Sequence, residues 1–172
     1  MKRPAVTIRR TVEDDWHSVR ALRLEMLRDT PLAYLESLAD AKKHDEPEWR
    51  MRAARGSSGT SVALAAIRGI TWIGTMGAYV PAPGREPVLV GVYVSPDFRG
   101  TRAGVADALL DGIEAWVLER GATGYTLEVH EKNPRARAYY ERRGFTLTGR
   151  TLPYPLDPSG RELELEMSKT LL

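Results

Sequence analysis

Val92-Tyr93-Val94-Ser95-Pro96-Asp97-Phe98-Arg99-Gly100-Thr101-Arg102-Ala103-Gly104 is the stretch on which the fold turns. A β-rich run, Val88 to Val94, is closed by Ser95-Pro96, and a short loop then leads into a long helix. That helix is the strongest helical pattern in the chain. Ala103, Ala106, Leu109, Leu110, Ile113, Trp116 and Val117 fall on one face, and Gly121 stops it. A helix N-terminus leaves about four backbone N–H groups without partners and carries a partial positive charge. A strand feeding such an end is a ready anion site. Gly100 and Gly104 carry no side chains to keep an anion away from the backbone, and Arg99 and Arg102 add positive charge. The same physics accommodates an ordinary strand–loop–helix joint with solvated arginines.

Upstream, Val6, Ile8 and Arg9-Arg10 read as a first strand. Thr11 with Asp14 three residues on reads as a capping box, and Trp16, Val19, Leu22 and Met26 recur at helical spacing to about Arg28. Asp29-Thr30-Pro31 breaks that helix, and residues 31–46 carry no clear period. Pro47 opens a short helix through Arg55, stopped by Gly56. Ser61 to Ile67 and Trp72 to Val80 read as a hairpin about Arg68-Gly69, and Pro81 to Pro87 as a loop.

Downstream, Tyr125 to Val129 alternates as a strand. Asn133-Pro134 is an N-cap followed by proline at the first helical position, opening a helix to Arg143 with Gly144 as its stop. Phe145 to Arg150 is a strand, Leu152 to Gly160 a proline-rich loop, and Leu163, Leu165 and Met167 alternate with Glu162, Glu164 and Glu166 in a last strand. The order β-α-α-β-β-β-α-β-α-β-β predicts one mixed α/β domain over residues 1–172.

Composition narrows the function. The chain has 172 residues, 42% hydrophobic and 28% charged, which are globular values and argue against disorder or coiled coil. The longest uncharged apolar run, Val62 to Ile67, is too short to span a bilayer, and no apolar segment follows the basic N-terminus as a signal peptide requires. There is no cysteine, hence no disulfide, thiol nucleophile or Cys-based metal site. A cytoplasmic setting, no membrane and no metal are therefore expected. The net charge is +2, and the 25 basic residues are interspersed with 23 acidic ones, which argues against nucleic acid as a partner.

Two motifs are more specific than these trends. Arg99-Gly100-Thr101-Arg102-Ala103-Gly104 after Val94-Ser95-Pro96 resembles the acetyl-CoA loop of the GNAT N-acetyltransferases, whose pattern is Arg/Gln-x-x-Gly-x-Gly/Ala. Its fourth position holds Arg102 where the family usually has glycine. Arginine is tolerable there only with ordinary backbone angles. The second motif is Asn133, Ala136, Tyr140, Gly144 and Phe145, which is similar to the family's Asn-x-x-Ala-x-x-x-Tyr-x-x-x-Gly-Phe at all five fixed positions. Asn133 is also the only asparagine in a chain without glutamine. Read singly, it is a helix cap and Tyr140 a half-buried tyrosine.

The resemblance implies a GNAT fold: a mixed, mostly antiparallel sheet flanked by helices and splayed between the fourth and fifth strands, with pantetheine in the gap. It implies pairing of the Val92-Tyr93-Val94 backbone with that arm. It also implies pyrophosphate held by Arg99, Gly100, Thr101, Arg102, Ala103, Gly104 and Val105, and cofactor contacts from Asn133 and Tyr140. Acetyl would pass directly from acetyl-CoA to a primary amine of a small molecule, with a backbone N–H of the Val88–Val94 strand facing the oxyanion. Tyr140 is the implied general acid, and Tyr139 points elsewhere. Glu86, thirteen residues before Arg99, has the spacing of the histone-type members' base, and Glu128 is a second candidate. The acceptor pocket of such a fold nominates Met26, Leu27, Tyr34, Trp49 and Tyr154, with Glu25 and Glu36 as acids. A homodimer is common among such domains. Two alternatives stand beside this reading: acetylation of a protein N-terminus or lysine, and a non-catalytic acyl-CoA-binding protein.

Overall fold

Small and branched residues alternate through Ser61–Arg68 (β2) and Thr71–Tyr79 (β3), and Gly69, at φ +63°, supplies the left-handed turn between them. In the computed structural model, which describes residues 5–100 and 102–172, this hairpin forms the second and third strands of one seven-stranded sheet. The remaining elements are β1 (Val6–Arg10), α1 (Trp16–Asp29), α2 (Leu38–Ala41), α3 (Glu46–Ala54), β4 (Val88–Val94), α4 (Val105–Glu119), β5 (Gly124–His130), α5 (Pro134–Arg142), β6 (Thr146–Pro153) and β7 (Leu163–Thr170). The strand order is β1-β2-β3-β4-β5-β7-β6, antiparallel except between β4 and β5. This is the mixed, mostly antiparallel sheet expected from the sequence.

The parallel pair sets the shape of the site. β4 and β5 meet only at Val88↔Thr126 and Leu89↔Leu127, and beyond Leu89 the two strands part. Against β3, the register slips by one residue between Thr75↔Tyr93 and Gly77↔Val90, and Gly91 sits inside the slip at φ +61°. A bulge of this kind bends its strand and increases the local twist. β4 therefore curves away from β5 and presents a free edge from about Val90 onward.

Two apolar layers cover the sheet. On one face α4 lies across β1 to β4, and Leu109, Leu110, Ile113 and Val117 are fully buried with Ile73, Met76 and Leu127. Tyr140 of α5 and Phe145 close that layer over Tyr125. On the other face α1 and α3 pack Leu22, Met26, Leu27 and Trp49 against Tyr34, Tyr93 and Trp72.

Several boundaries differ from the sequence reading. Thr11 caps nothing: it is buried, and its hydroxyl donates to the Ala53 carbonyl at 2.7 Å. Asp15 is the capping group, its carboxylate accepting from the Val12 N–H at 2.9 Å while Arg9 holds it in an ion pair at 2.7 Å. Residues 31–46 contain a single 3-10 turn, Pro31–Ala33, and the short α2, capped by the Ser37 hydroxyl. Ala103 lies outside α4, which starts two residues later after Gly104. β6 runs on through Leu152 and Pro153, because its pairing with β7 outweighs the proline.

Candidate active site

Where β4 and β5 part, a cleft of about 1420 Å³ opens, lined by β4, β5, the ends of α1 and α5, and the amino end of α4. The start of α4 forms one wall. Gly104 is its N-cap at φ +64°, and Gly100 sits at φ +97°; a methyl group added at either would meet nothing within 4 Å. Their left-handed backbone, rather than crowding, is what calls for glycine. No side chain caps this terminus, so the first-turn amides from Val105 onward face the cleft mouth unsatisfied. Among the described residues no non-glycine has positive φ, so Arg102 adopts ordinary backbone angles and is accommodated where the family motif has glycine.

Arg99 does not point free into this space. Its Nε donates to the Val94 carbonyl at 2.6 Å, and its guanidinium pairs with Asp29 at the end of α1 and stacks 5.4 Å over the Tyr93 ring. It braces the joint between α1 and β4 while lining the cleft. Asp107, in the first turn of α4, would repel an anion there, but Arg143 of the α5 C-terminus binds it at 2.9 Å and Asp111 at 2.6 Å. Tyr139 donates to the same Asp107 carboxylate at 3.3 Å.

Asn133 caps α5, its Oδ1 accepting from the Ala136 N–H at 3.2 Å. That cap fixes where α5 begins and hence where Tyr140 sits. The Tyr140 ring packs edge-on against Phe145 (5.7 Å) and Tyr139 (5.6 Å), and burial pushes its phenol well above the usual range. Its hydroxyl has no hydrogen-bond partner among the described residues and opens onto the cleft. Across the gap, Tyr34 donates its hydroxyl proton to the Val92 carbonyl at 2.9 Å, and Tyr154 donates to the Tyr34 carbonyl at 3.2 Å.

The cleft thus gathers Val92, Tyr93, Val94, Arg99, Gly100, Gly104, Asn133 and Tyr140 from the sequence reading. Arg102 and Ala103 are exposed beside it, and Val105 turns its side chain into the core. Thr101 lies outside the described residues. Glu86 is a correction: it is exposed, its carboxylate lies against Gly124, and it does not line the cleft. It sits before the one stretch where β4 and β5 are paired, so the closed end of the gap separates it from Tyr140. Glu128 does line the cleft and is exposed there.

Of the acceptor-side residues, Met26, Tyr34 and Trp49 line the cleft, while Leu27 and Tyr154 lie buried behind it. Glu25 accepts from the Tyr93 and Ser95 hydroxyls at 2.9 and 2.6 Å. Glu36 is enclosed by Arg52, His44 and Arg23. Burial alone would raise its carboxyl, but those hydrogen bonds hold it down at about 2. Sequence reasoning missed Glu164. It lines the cleft and is only 7% exposed, makes no hydrogen bond to the described residues, and keeps its carboxylate oxygens in contact with solvent. Burial, with Glu128 nearby, pushes its carboxyl up to about 7.

Residues 19–145 match the acetyltransferase (GNAT) family. The chain belongs to that family. It is 32% identical over 162 residues to the aminoglycoside N(6')-acetyltransferase type 1 of Stenotrophomonas maltophilia, covering 90% of this chain and 97% of that protein. The ribosomal-protein-alanine N-acetyltransferase of Brucella melitensis superposes with a TM-score of 0.75 at 25% identity, covering 96% and 99% of the two chains. The PaiA N-acetyltransferase of Thermoplasma acidophilum, solved with coenzyme A, superposes at 0.74 with 20% identity over 96% and 99%. The protein is accordingly an acyl-CoA-dependent N-acetyltransferase, and the expected GNAT fold is confirmed.

The residues present fit acetyl-CoA. The amides at the start of α4, with Gly100 and Gly104 giving close approach, suit a diphosphate. β5 leaves the β4 edge beyond Leu89 unpaired, which suits an extended arm, and the Val92 and Val94 carbonyls there already accept from Tyr34 and Arg99. Among the described residues no group of three or more His, Asp or Glu could hold a metal ion.

Proposed function

We propose that this GNAT enzyme acetylates a primary amine on a small, multiply cationic molecule of the aminoglycoside type. The observation that carries the proposal is the acceptor side of the cleft. Glu128 and Glu164 both line it, and neither has an ion-pair or hydrogen-bond partner among the described residues. Glu128, charged and unpaired, beside Glu164, whose carboxyl burial and Glu128 push up to about 7, favours a ligand that brings positive charge and restores the ionised form. The 32% identity to an aminoglycoside N-acetyltransferase supports the same class.

Bound acetyl-CoA supplies an acetyl group already activated as a thioester. Gly100, Gly104 and the first turn of α4 hold its phosphates, and the β4 edge orients its arm. Tyr140 Oη points into the gap as a hydrogen-bond donor to the charge that develops on the departing sulfur. Its raised pKa keeps it protonated throughout the working range. Complete proton transfer from so weak an acid to a thiolate, whose conjugate thiol has a pKa of roughly 8.5, is uphill. Stabilisation by the hydrogen bond is therefore the role assigned. A cytoplasmic setting is also part of the proposal. Among the described residues no helix is long and apolar enough to cross a membrane.

The test is thiol release from acetyl-CoA with four acceptors: an aminoglycoside, a polyamine, a peptide with a free N-terminus and a lysine peptide. Release with the aminoglycoside or polyamine is expected, and release with peptides alone would overturn the proposed acceptor. In the same assay Tyr140→Phe lowers kcat by about 10²-fold, the lower end for a well-placed proton donor. The thermal stabilisation by acetyl-CoA persists in that variant. It is about 2.7 kcal/mol at one hundred times the dissociation constant.

A further inference from the structure

Glu164 stands on β7 opposite His130 of β5, and Glu128 stands opposite Glu166 one ladder step away. These four side chains share one face of the sheet, because their neighbours Leu127, Val129, Leu165 and Met167 belong to the core layer on the other. A carboxylate as buried as Glu164 ordinarily takes hydrogen bonds from its surroundings. The protein groups facing it offer none, and since no buried side-chain oxygen among the described residues lacks a partner, its carboxylate oxygens reach the solvent of the cleft. Glu166 is paired with Arg150 at 2.9 Å. Glu162 is shared between Lys132 and His130. His130 accepts the Lys132 backbone N–H on Nδ1 at 3.1 Å and meets Glu162 through Nε2 at 3.0 Å, so both its ring nitrogens are committed. Tyr154 packs edge-on over that ring at 4.5 Å and donates to the Tyr34 carbonyl, and Tyr34 itself donates to Val92. Glu128 remains, unpaired and like-charged.

We propose that Glu164 is the general base of this acetyltransferase, with Glu128 as the neighbouring carboxylate that positions the acceptor's ammonium group. The proposal rests on the acetyl-transfer reading above. The step is a proton transfer. One N–H bond of the acceptor's ammonium breaks, an O–H bond forms on Glu164, and the electron pair stays on the nitrogen as the nucleophile. The proton then leaves to water through the open mouth of the cleft. Two features equip Glu164 for this. It and Tyr140 both line the cleft, from opposite faces of the sheet, so an acceptor held on the Glu164 face would meet the acetyl group through the β4–β5 gap. Its carboxyl, raised to about 7 by burial and by Glu128, is far better matched to an amine's proton than an ordinary glutamate is.

The experiment is the pH profile of kcat/KM from pH 5.5 to 9, using the acceptor that releases thiol fastest. In the parent protein a rising limb with its midpoint near 7 is expected, and it stays in place when the acceptor is exchanged for an amine of different basicity. In Glu164→Gln that limb disappears and kcat falls about 10²-fold, while acetyl-CoA still raises the melting temperature. In Glu128→Gln the limb moves to lower pH, because a like charge has been removed. A Glu164→Gln variant that turns over with the limb intact, or that changes KM alone, overturns the base assignment and leaves acetyl transfer standing. Loss of the limb in Glu128→Gln alone would transfer the role to Glu128. A parent that releases no thiol with any amine overturns both readings. Should Glu164→Gln fail to fold, an unmoved limb in Glu128→Gln is sufficient to sink the proposal.

Discussion

Gly56 lies in the 3-10 turn Arg55–Ser57 that follows α3, where the chain passes Thr11, and a Cβ there would sit 2.3 Å from both the carbonyl and the hydroxyl oxygen of Thr11. Both atoms are already in use. The hydroxyl donates to Ala53 and the carbonyl accepts from the Ser57 hydroxyl at 3.1 Å. Neither can retreat without losing a hydrogen bond in a buried spot. Gly56→Ala therefore destabilises the fold by about 1–3 kcal/mol, the usual range for an overpacked site. Urea denaturation measures it as a lower midpoint with an unchanged slope. Tyr140 shows the other kind of residue-level constraint. Phe145 holds its ring, and Phe145 is itself fixed edge-on at 5.0 Å by Tyr125. Tyr140 and Phe145 were legible from the spacing of the second motif. Glu164 was not, because Glu162, Glu164 and Glu166 alternate with apolar residues as any solvated strand face would. What distinguishes Glu164 is the neighbouring strand that covers it.

At the scale of elements, the α4–α5 contact links cofactor binding to the position of Tyr140. Arg143 joins the two helices through Asp107 and Asp111. Asp107 and Asp111 are substantially exposed, at 44% and 69%, so these pairs contribute little to stability, within about 1 kcal/mol. The electrostatic consequence is local. Without Arg143, Asp107 keeps only the Tyr139 hydroxyl as a partner and leaves an unneutralised negative charge in the first turn of α4, where the phosphates are to bind. Arg143→Met is thus expected to leave the unfolding midpoint nearly unchanged and to weaken acetyl-CoA binding several-fold. The loss shrinks as salt rises toward 0.5 M. Calorimetric titration at two salt concentrations checks this, and an unchanged affinity at low salt would count against the role given to Asp107. The helix itself was legible from its apolar period. Its partnership with α5 was not, since 32 residues separate Asp107 from Tyr139.

At the scale of the molecule, two acids pull pH stability in opposite directions. Glu164 is raised from its ordinary 4.5 to about 7. Between those values the folded state holds a proton that the unfolded state has lost, so its contribution is full below pH 4.5 and declines as pH rises to about 7. Glu36 is lowered from 4.5 to about 2, so its contribution is full above 4.5 and declines as pH falls. Glu164→Gln removes the first decline only. Its melting temperature relative to the parent's should rise from pH 5 to pH 8, while the loss of stability below pH 4.5 stays the same in both. Parallel melting curves across pH 5 to 8 would show that Glu164 titrates alike in the folded and unfolded chain.

By itself the sequence determined the strands and the longer helices, though not α2 or the 3-10 turn before it, and two of the motifs that bear on chemistry. Apolar periods of 3.6 and 2 residues, glycine stops and proline starts are local properties of the chain, and so is the fixed spacing of Arg99-to-Gly104 and Asn133-to-Phe145. What the tertiary structure alone decided is which charges are buried and which face one another. Glu86 and Glu164 are the same letter, one between Arg85 and Pro87 and the other between Leu163 and Leu165. Glu86 falls at the closed end of the β4–β5 gap, and Glu164 faces its open interior. The reason is physical: a carboxylate's proton affinity is set by the dielectric and the charges within a few ångströms of it. For Glu164 those are supplied by β5, more than thirty residues away along the chain.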